Sequence, residues 1–213
     1  MESVSGGLRI AVLASGRGSN LRAIVDALHA GIISNALVSL VISNNSSSGA
    51  LEFARQQNIP AVHCSRLQFL SDVEFATAML QTLREHKCNF IVLAGYMKKL
   101  DPTIITTFKN RIINIHPALL PEYGGKGMYG MHVHKAVIAN HDSVSGATVH
   151  FVDEEYDRGS IVLQERVDVS PTDTPESLAE KVLKIEHVLY PKTINLFAQG
   201  KVHVNGHQMV IEA

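Results

Sequence analysis

The chain has 213 residues, a formal net charge of -1 at pH 7 and 46% hydrophobic residues. This length and apolar content are enough for one large α/β domain with a buried core, and nothing in the composition requires a division. The nearly balanced charge, without a basic block, argues against a broad surface for binding nucleic acid.

The first half of the chain alternates apolar strands with helices. Strands are predicted at residues 8–14, 37–42, 61–63 and 90–94, with a fifth that ends at Asn114, and helices are predicted after the turn at 15–20 and at 50–57, 71–86 and 102–108. The stripe Val73, Met79, Leu80 and Leu83 is expected to face the core. Continuously apolar strands are typical of a parallel sheet covered on both faces. The predicted fold is therefore α/β, a Rossmann-like, mostly parallel sheet with helices on both faces.

The second half has a different pattern. Residues 122–131 contain four glycines and predict a surface loop before a helix at 134–140. Residues 147–152 and 161–167 alternate apolar and polar side chains, which predicts antiparallel strands in the C-terminal part. A long helix should start with Thr174 as its cap and bend or end at Pro191, before a hairpin at 202–211. We predict a single domain over residues 1–213.

Cysteine use and the chain start bear on the compartment. Cys64 and Cys88 lie far apart without a CxxC spacing, so they give no disulfide framework or thiolate metal site and are typical of a reducing compartment. Residues 1–7 are too short and too polar for a signal peptide, and no apolar run approaches the length of a membrane span. We therefore predict a cytoplasmic protein with no membrane or nucleic-acid partner.

The turn after the first strand is a candidate phosphate site. It contains Gly16 and Gly18, but Leu21 stands where a dinucleotide-binding GxGxxG motif has its third glycine. A nicotinamide cofactor is therefore disfavoured, whereas a monophosphate could bind the N–H groups at the helix start, with Ser19 and Asn20 as further donors. The alternative is a tight turn in which serine or asparagine caps the helix.

The end of the fifth strand is the leading candidate for chemistry. Asn114 and His116 are two residues apart, so both side chains leave the same side of the strand, and Pro117 should stop the pairing there. Asp157 lies in an acidic turn, where Arg158-Gly159 permits a reversal of the chain, although a solvated turn is the usual outcome for such a run. His132 and His134 give too weak a pattern for a metal, so no metal site is predicted.

Together these segments resemble the folate-dependent formyltransferases, and among them the phosphoribosylglycinamide formyltransferases of purine synthesis. The resemblance runs from about Leu8 to Gly200. It is carried by the segments ASGRGSN at 14–20, LAGYM at 93–97, NIHPALLP at 114–121, HFVDEEYD at 150–157, and Glu186-His187 followed by Tyr190-Pro191. The block at 114–121 indicates the class, whereas the turn at 18–20 and the short chain indicate the member that acts on glycinamide ribonucleotide.

The resemblance implies transfer of a formyl group from 10-formyltetrahydrofolate, as a co-substrate, to the glycine amine of the ribonucleotide. It implies three groups of site residues. Gly18, Ser19 and Asn20 would hold the phosphate and Glu186 would meet the amine; Met97, Lys98, Lys99 and Leu100, with Asn114, would line the folate site, beside the backbone of 153–157; and Asn114, His116 and Asp157 would be catalytic. The N-terminal half would bind the ribonucleotide and the C-terminal half would complete the folate site, in a monomer or homodimer.

These residue types suit the reaction. Attack of an amine on a formyl carbon builds negative charge on oxygen, to which Asn114 and a protonated His116 could donate hydrogen bonds. A nearby Asp157 carboxylate would favour the imidazolium form and orient the ring.

The sequence departs from the family pattern in three places. Lys98-Lys99 replaces Arg-Ile, Asp72 stands where an arginine often contacts folate, and the loop from Tyr123 to His134 is longer and richer in glycine. Two other functions remain open: a formyltransferase of the same fold that acts on another amine, such as a sugar nucleotide, and a binding module that has lost turnover.

Overall fold

The computed structural model describes residues 7–205 and 208–212. Strands and helices alternate up to residue 116, and a short 3-10 helix, Arg66–Gln68, precedes the third helix. The elements of this half are β1 (Leu8–Leu13), α1 (Ser19–His29), β2 (Ala36–Ser43), α2 (Gly49–Gln56), β3 (Ala61–His63), α3 (Asp72–Glu85), β4 (Phe90–Leu93), α4 (Pro102–Thr107) and β5 (Ile112–His116). The remaining elements are α5 (Met131–Ala139), β6 (Val144–Phe151), β7 (Ile161–Asp168), α6 (Pro175–Ala198), β8 (Val202–Asn205) and β9 (Gln208–Ile211).

Seven strands form one sheet in the order β3-β2-β1-β4-β5-β6-β7. Strands β1 to β5 are parallel, whereas β6 runs antiparallel to β5 and β7 antiparallel to β6. The predicted fold class is therefore confirmed. Strand β5 extends to His116, two residues beyond the predicted end, because His116 still pairs with Thr148 of β6. Strands β8 and β9 form the predicted hairpin, although its turn at 206–207 lies outside the described residues.

Helices cover the sheet on two faces, as alternation along the strands requires. Ile10 and Val12 of β1 pack in a core with α1, α2, α5 and α6, on the side that we call the α6 face. Ala11 and Leu13 point the other way and pack with α3 and α4, on the side that we call the α3 face. The cavity described below has two halves, one on the α6 face and one on the α3 face.

Helix α6 was predicted to bend or end at Pro191, and the second alternative is wrong, since the helix continues to Ala198. Proline removes one backbone N–H bond, but α6 is held by buried side chains on both sides of that position. Tyr190, which is fully buried, donates its hydroxyl to the carbonyl oxygens of Leu93 (2.9 Å) and Ile113 (3.1 Å). This side chain ties α6 to the ends of β4 and β5.

Helix α3 faces the core through most of the predicted stripe, since Met79 and Leu83 are buried and Leu80 packs against the same core. Val73 lies in its first turn and is 74% exposed, while Phe75, Met79 and Leu83 are buried at four-residue spacing. No helix among residues 7–205 and 208–212 is both long and apolar enough to cross a membrane.

Candidate active site

A cavity of about 760 Å³ opens where β1, β4 and β5 end. The carboxyl ends of parallel strands are the usual position for ligands in an open α/β sheet. The turn after β1, the segment after β4 and the end of β5 meet there with the β6–β7 turn and helix α6. All the predicted site residues line this cavity: Gly18, Ser19, Asn20, Met97, Lys98, Lys99, Leu100, Asn114, His116, Asp157 and Glu186.

The turn at 15–20 leaves the start of α1 without a side-chain cap. Gly18 occupies the N-cap position with φ 78°, and a Cβ there would lie 2.9 Å from the Cα of Ala50, so both conformation and space favour glycine. Within the described part of the chain, no side chain caps the first turn of α1, so the helix-capping alternative is wrong. The N–H groups of this turn can therefore hold an anion.

Asn20 turns its side chain towards α6 instead of capping its own helix. Its Nδ2 donates to Glu186 Oε2 at 2.7 Å, and both residues are buried. Burial raises the pKa of Glu186 to about 7, although the hydrogen bond from Asn20 acts in the opposite direction. Among the described residues Asn20 Oδ1 has no hydrogen-bond partner, so this corner of the cavity offers one unsatisfied amide oxygen beside the carboxyl group of Glu186.

Asn114 is oriented by His150, which stands opposite it in the β5–β6 pairing. His150 Nδ1 lies 2.8 Å from the carbonyl oxygen of Phe151, which assigns the proton to that nitrogen. Nε2 then accepts from Asn114 Nδ2 at 3.1 Å, and burial lowers the pKa of His150, which favours this neutral form. One N–H of Asn114 is thereby fixed, and the other is free for a ligand.

His150 is a site residue to which the sequence assigned no role. It lies in an alternating strand whose polar positions should face solvent, yet His150 and Thr148 are buried, because Thr148 contacts the segment 118–120 and His150 lies against Asn114 and Asp157. The one sequence signal was its place in the HFVDEEYD segment at 150–157.

His116 is held at both ring nitrogens. Nε2 lies 2.7 Å from the carbonyl oxygen of Tyr123, to which it donates, and Nδ1 lies 3.7 Å from Asp157 Oδ2. Burial lowers the pKa of His116, although Asp157 and the Tyr123 carbonyl both act to raise it. Asp157 thus acts in the predicted direction, but the cost of burying the charge is the largest effect, so the predicted protonated form is not favoured. The imidazole is therefore neutral near pH 7 before any substrate binds.

Asp157 departs from the solvated acidic turn that surrounds it. Its side chain is 12% exposed, whereas Asp153, Glu154 and Glu155 are all exposed. The reversal depends on a positive φ of 55° at Asp157 itself, while Gly159 is needed because a Cβ there would lie 1.9 Å from the Phe151 carbonyl oxygen. The carboxylate is thereby aimed between two histidines, with Oδ1 lying 3.6 Å from His150 Nε2.

Ser15 links the first turn to the segment after β4. Its hydroxyl oxygen accepts from the N–H of Met97 at 2.9 Å and its proton is donated to Asn44 Oδ1 at 2.5 Å. Across the cavity mouth, Lys99 Nζ lies 5.4 Å from the ring centroid of Tyr156, within the range of a cation–π contact. These contacts position the two segments between which a flat ring system could bind.

Asp72, at the departure from the family pattern, lies outside the cavity and pairs with Arg66. His132 and His134 both belong to the start of α5, but His132 is exposed and His134 is buried. Among residues 7–205 and 208–212, no group of three or more histidine, cysteine, aspartate or glutamate side chains is placed to hold a metal ion.

The sheet and the cluster of amide, imidazole and carboxylate side chains at its carboxyl edge define the active site of an α/β enzyme. A family model described as formyl transferase matches residues 8–194, so the chain belongs to the formyl transferase family.

Two relatives and one solved structure illustrate the similarity. The chain is 40% identical over 195 residues to a phosphoribosylglycinamide formyltransferase, chloroplastic, of Arabidopsis thaliana, covering 91% of this chain and 66% of the relative, which is just under two thirds of its length. It is 40% identical over 196 residues to the phosphoribosylglycinamide formyltransferase of Haemophilus influenzae, covering 92% and 90%. A glycinamide ribonucleotide transformylase 1 from Symbiobacterium toebii superposes with a TM-score of 0.89 at 37% identity, covering 97% and 94%.

Proposed function

We propose that this chain is a phosphoribosylglycinamide formyltransferase of purine synthesis. It transfers the formyl group of 10-formyltetrahydrofolate to the glycine amine of 5-phosphoribosylglycinamide. The observation that carries the proposal is that one cavity contains both an amine-accepting corner, Asn20 with Glu186, and the cluster of Asn114, His116 and Asp157. The names of the relatives and of the solved structure support the same substrate pair.

The ribonucleotide is placed on the α6 face. Its phosphate binds the uncapped turn at Gly18, Ser19 and Asn20. Its amine, a hydrogen-bond donor, meets the carboxylate of Glu186 and the unpartnered Oδ1 of Asn20. A site that leaves an acceptor without a partner discriminates against ligands that cannot donate there.

The folate occupies the other half of the cavity. Residues 97–100, with Asn114, form one wall, and the backbone of 153–157 contacts the pterin ring on the other. Lys98 and Lys99 add positive charge at the exposed mouth, where the carboxylates of a folate would lie.

The proposed transfer uses the side chains that line the cavity. The amine nitrogen forms a bond to the formyl carbon, and the free N–H of Asn114 donates to the oxygen that becomes negative. His116 Nδ1, initially unprotonated, takes the proton from the amine, and Asp157 stabilises the imidazolium that results. The positive charge of the imidazolium also stabilises the negative charge that develops on the formyl oxygen. As the bond from carbon to the folate nitrogen breaks, that nitrogen receives the proton.

An assay with both substrates tests the function. Glycinamide ribonucleotide and 10-formyltetrahydrofolate should give formylated ribonucleotide and tetrahydrofolate in equal amounts, followed by absorbance of the deformylated folate. An amine-bearing sugar nucleotide serves as the competing acceptor. Formylation of the sugar nucleotide alone would favour the second formyltransferase function, and binding of both ligands without product would favour a non-catalytic module.

His116→Ala is expected to reduce kcat by about 10²–10⁴-fold while leaving the affinity for the ribonucleotide close to that of the native protein. The imidazole relays a proton and touches the Tyr123 carbonyl, whereas the proposed contacts of the ribonucleotide lie at 18–20 and Glu186. Steady-state kinetics and calorimetry measure the two effects. His132→Ala, at an exposed position outside the cavity, is the control. An equal loss of ribonucleotide binding would make His116 a substrate contact.

We also propose that residues 1–213 form one domain that works in a cytoplasmic, reducing compartment as a monomer or homodimer. The free cysteines, Cys64 and Cys88, support the reducing compartment. The printed name of the Arabidopsis relative places that protein in the chloroplast.

A further inference from the structure

The glycine-rich loop forms a wall of the cavity. Residues 125–131 line it without interruption, and the loop leads directly into α5. Gly125 (φ 98°) and Gly127 (φ 91°) have left-handed conformations, while a Cβ at either would meet no atom within 4 Å. Glycine is therefore required there for the backbone path and not for lack of space. That path presents the residue between them, Lys126, to the cavity.

The base of this loop is attached to the catalytic cluster. The N–H of Gly125 donates to Asp157 Oδ2 at 2.9 Å, and the carbonyl oxygen of Tyr123 accepts from His116. The Tyr123 hydroxyl in turn donates to Asp142, which follows α5. The loop position next to Lys126 is thus fixed by the groups that are proposed to do the chemistry.

The positively charged residues that line the cavity are divided between its two halves. The cations that line it are Arg17, Lys98, Lys99 and Lys126. Lys98 and Lys99 lie beside Leu100, which packs on the α3 face with α4. Lys126 precedes α5, whose Val133 and Val137 pack on the α6 face with α1 and α6. Lys126 therefore belongs to the half that contains Ser19, Asn20 and Glu186.

The half of the cavity that contains Ser19, Asn20 and Glu186 needs a further cation if it is to bind a phosphate. A phosphate monoester carries about -1.5 to -2 charges at pH 7. The turn at 18–20 offers it uncharged donors and the adjacent Arg17 one positive charge, while Glu186 and Asp157 place carboxyl groups in the same cavity. Lys126 is exposed, and among residues 7–205 and 208–212 it makes no hydrogen bond or ion pair, so its ammonium group is available.

We propose that Lys126 is a substrate-binding residue that pairs with the phosphate of the ribonucleotide, opposite the turn at 18–20. The glycine-rich loop would then supply, from the middle of the chain, a second positive charge beside that of Arg17 in the first turn. The inference rests on the proposed function and adds to it the side chain that selects a phosphorylated acceptor.

The test compares the ribonucleotide with the same acceptor lacking its phosphate, glycinamide riboside. Lys126→Gln is expected to raise KM for the ribonucleotide by about 10- to 100-fold, the range of a charge-assisted hydrogen bond. The KM for glycinamide riboside and for 10-formyltetrahydrofolate should be unchanged, and kcat nearly so. Lys135→Gln, an exposed lysine on α5 outside the cavity, is the matched control.

The outcomes separate this inference from the function. No formylation of the ribonucleotide by the native protein would overturn both. Turnover by the native protein with an unchanged KM in Lys126→Gln would overturn the inference alone. A phosphate-dependent loss in Arg17→Gln but not in Lys126→Gln would assign the phosphate to the first turn's own cation. A raised KM for the folate in Lys126→Gln would place Lys126 in the folate half and overturn the assignment.

Discussion

Replacing Asp157 by asparagine is expected to lower kcat by about 10²–10⁴-fold while the protein stays folded. The asparagine side chain has nearly the same shape, and its oxygen can still accept from the N–H of Gly125. What is lost is the negative charge 3.7 Å from His116 Nδ1. Because burial already lowers the pKa of His116, an imidazolium without that carboxylate would be costly to form.

The measurement is kcat in steady state, with the midpoint of thermal unfolding as the check on the fold. Glu154→Gln is the matched control, because Glu154 lies in the same acidic turn, is exposed and does not line the cavity. The control should retain native turnover. Near-native turnover in Asp157→Asn would remove Asp157 from the proposed mechanism, and with it the explanation of how a buried histidine gains a proton.

The parts of the fold that the sequence predicted correctly are specified by patterns of only a few residues. Continuous apolar runs predicted β1, β2 and β4, and glycine at position 18 predicted the turn, since only a residue without a side chain fits against Ala50. Thr174 and Pro175 likewise predicted the start of α6, where Thr174 accepts from the N–H of Ser177. These features depend on backbone conformation and on hydrogen bonds between residues close in the chain, so neighbouring residue types are enough to predict them.

What the sequence could not predict depends on long-range packing. The role of His150 follows from the register in which β6 pairs with β5, which no local pattern specifies. The protonation of His116 follows from how deeply the folded chain buries it, an effect that outweighs the opposite effect of the neighbouring Asp157. The helix through Pro191 persists because of contacts made by Tyr190 with distant strands.

Glu186 shows the same limitation and leads to the second large effect. It lies next to the apolar stripe of α6, where the sequence alone does not show how deeply a carboxyl group is buried, yet it is 8% exposed and its pKa is raised to about 7. The folded state therefore holds the carboxyl proton more tightly than the unfolded chain, whose value is 4.5. This contribution to stability is complete below pH 4.5 and is lost as the pH rises through 7. The shift corresponds to about 3 kcal/mol.

Glu186→Gln is accordingly expected to stabilise the ligand-free protein by about 3 kcal/mol at pH 8 and by almost nothing at pH 4.5. A neutral glutamine retains the shape and the acceptor for Asn20 Nδ2 but avoids the buried charge. Denaturant unfolding at the two pH values measures the difference. Glu180→Gln, at an exposed position on the same helix, should leave the pH dependence unchanged.

The same substitution should weaken the binding of the ribonucleotide, because the amine loses its charged acceptor. We expect KM to rise by about 10- to 100-fold, with the loss largest above pH 7, where the native carboxylate is ionised. If Glu186→Gln is more stable than the native protein but binds the ribonucleotide more weakly, Glu186 serves substrate binding and destabilises the fold. Equal stability of the two proteins at pH 8 would mean that the pKa of Glu186 is not raised in the folded protein, and the carboxylate would then be buried at no cost to the fold.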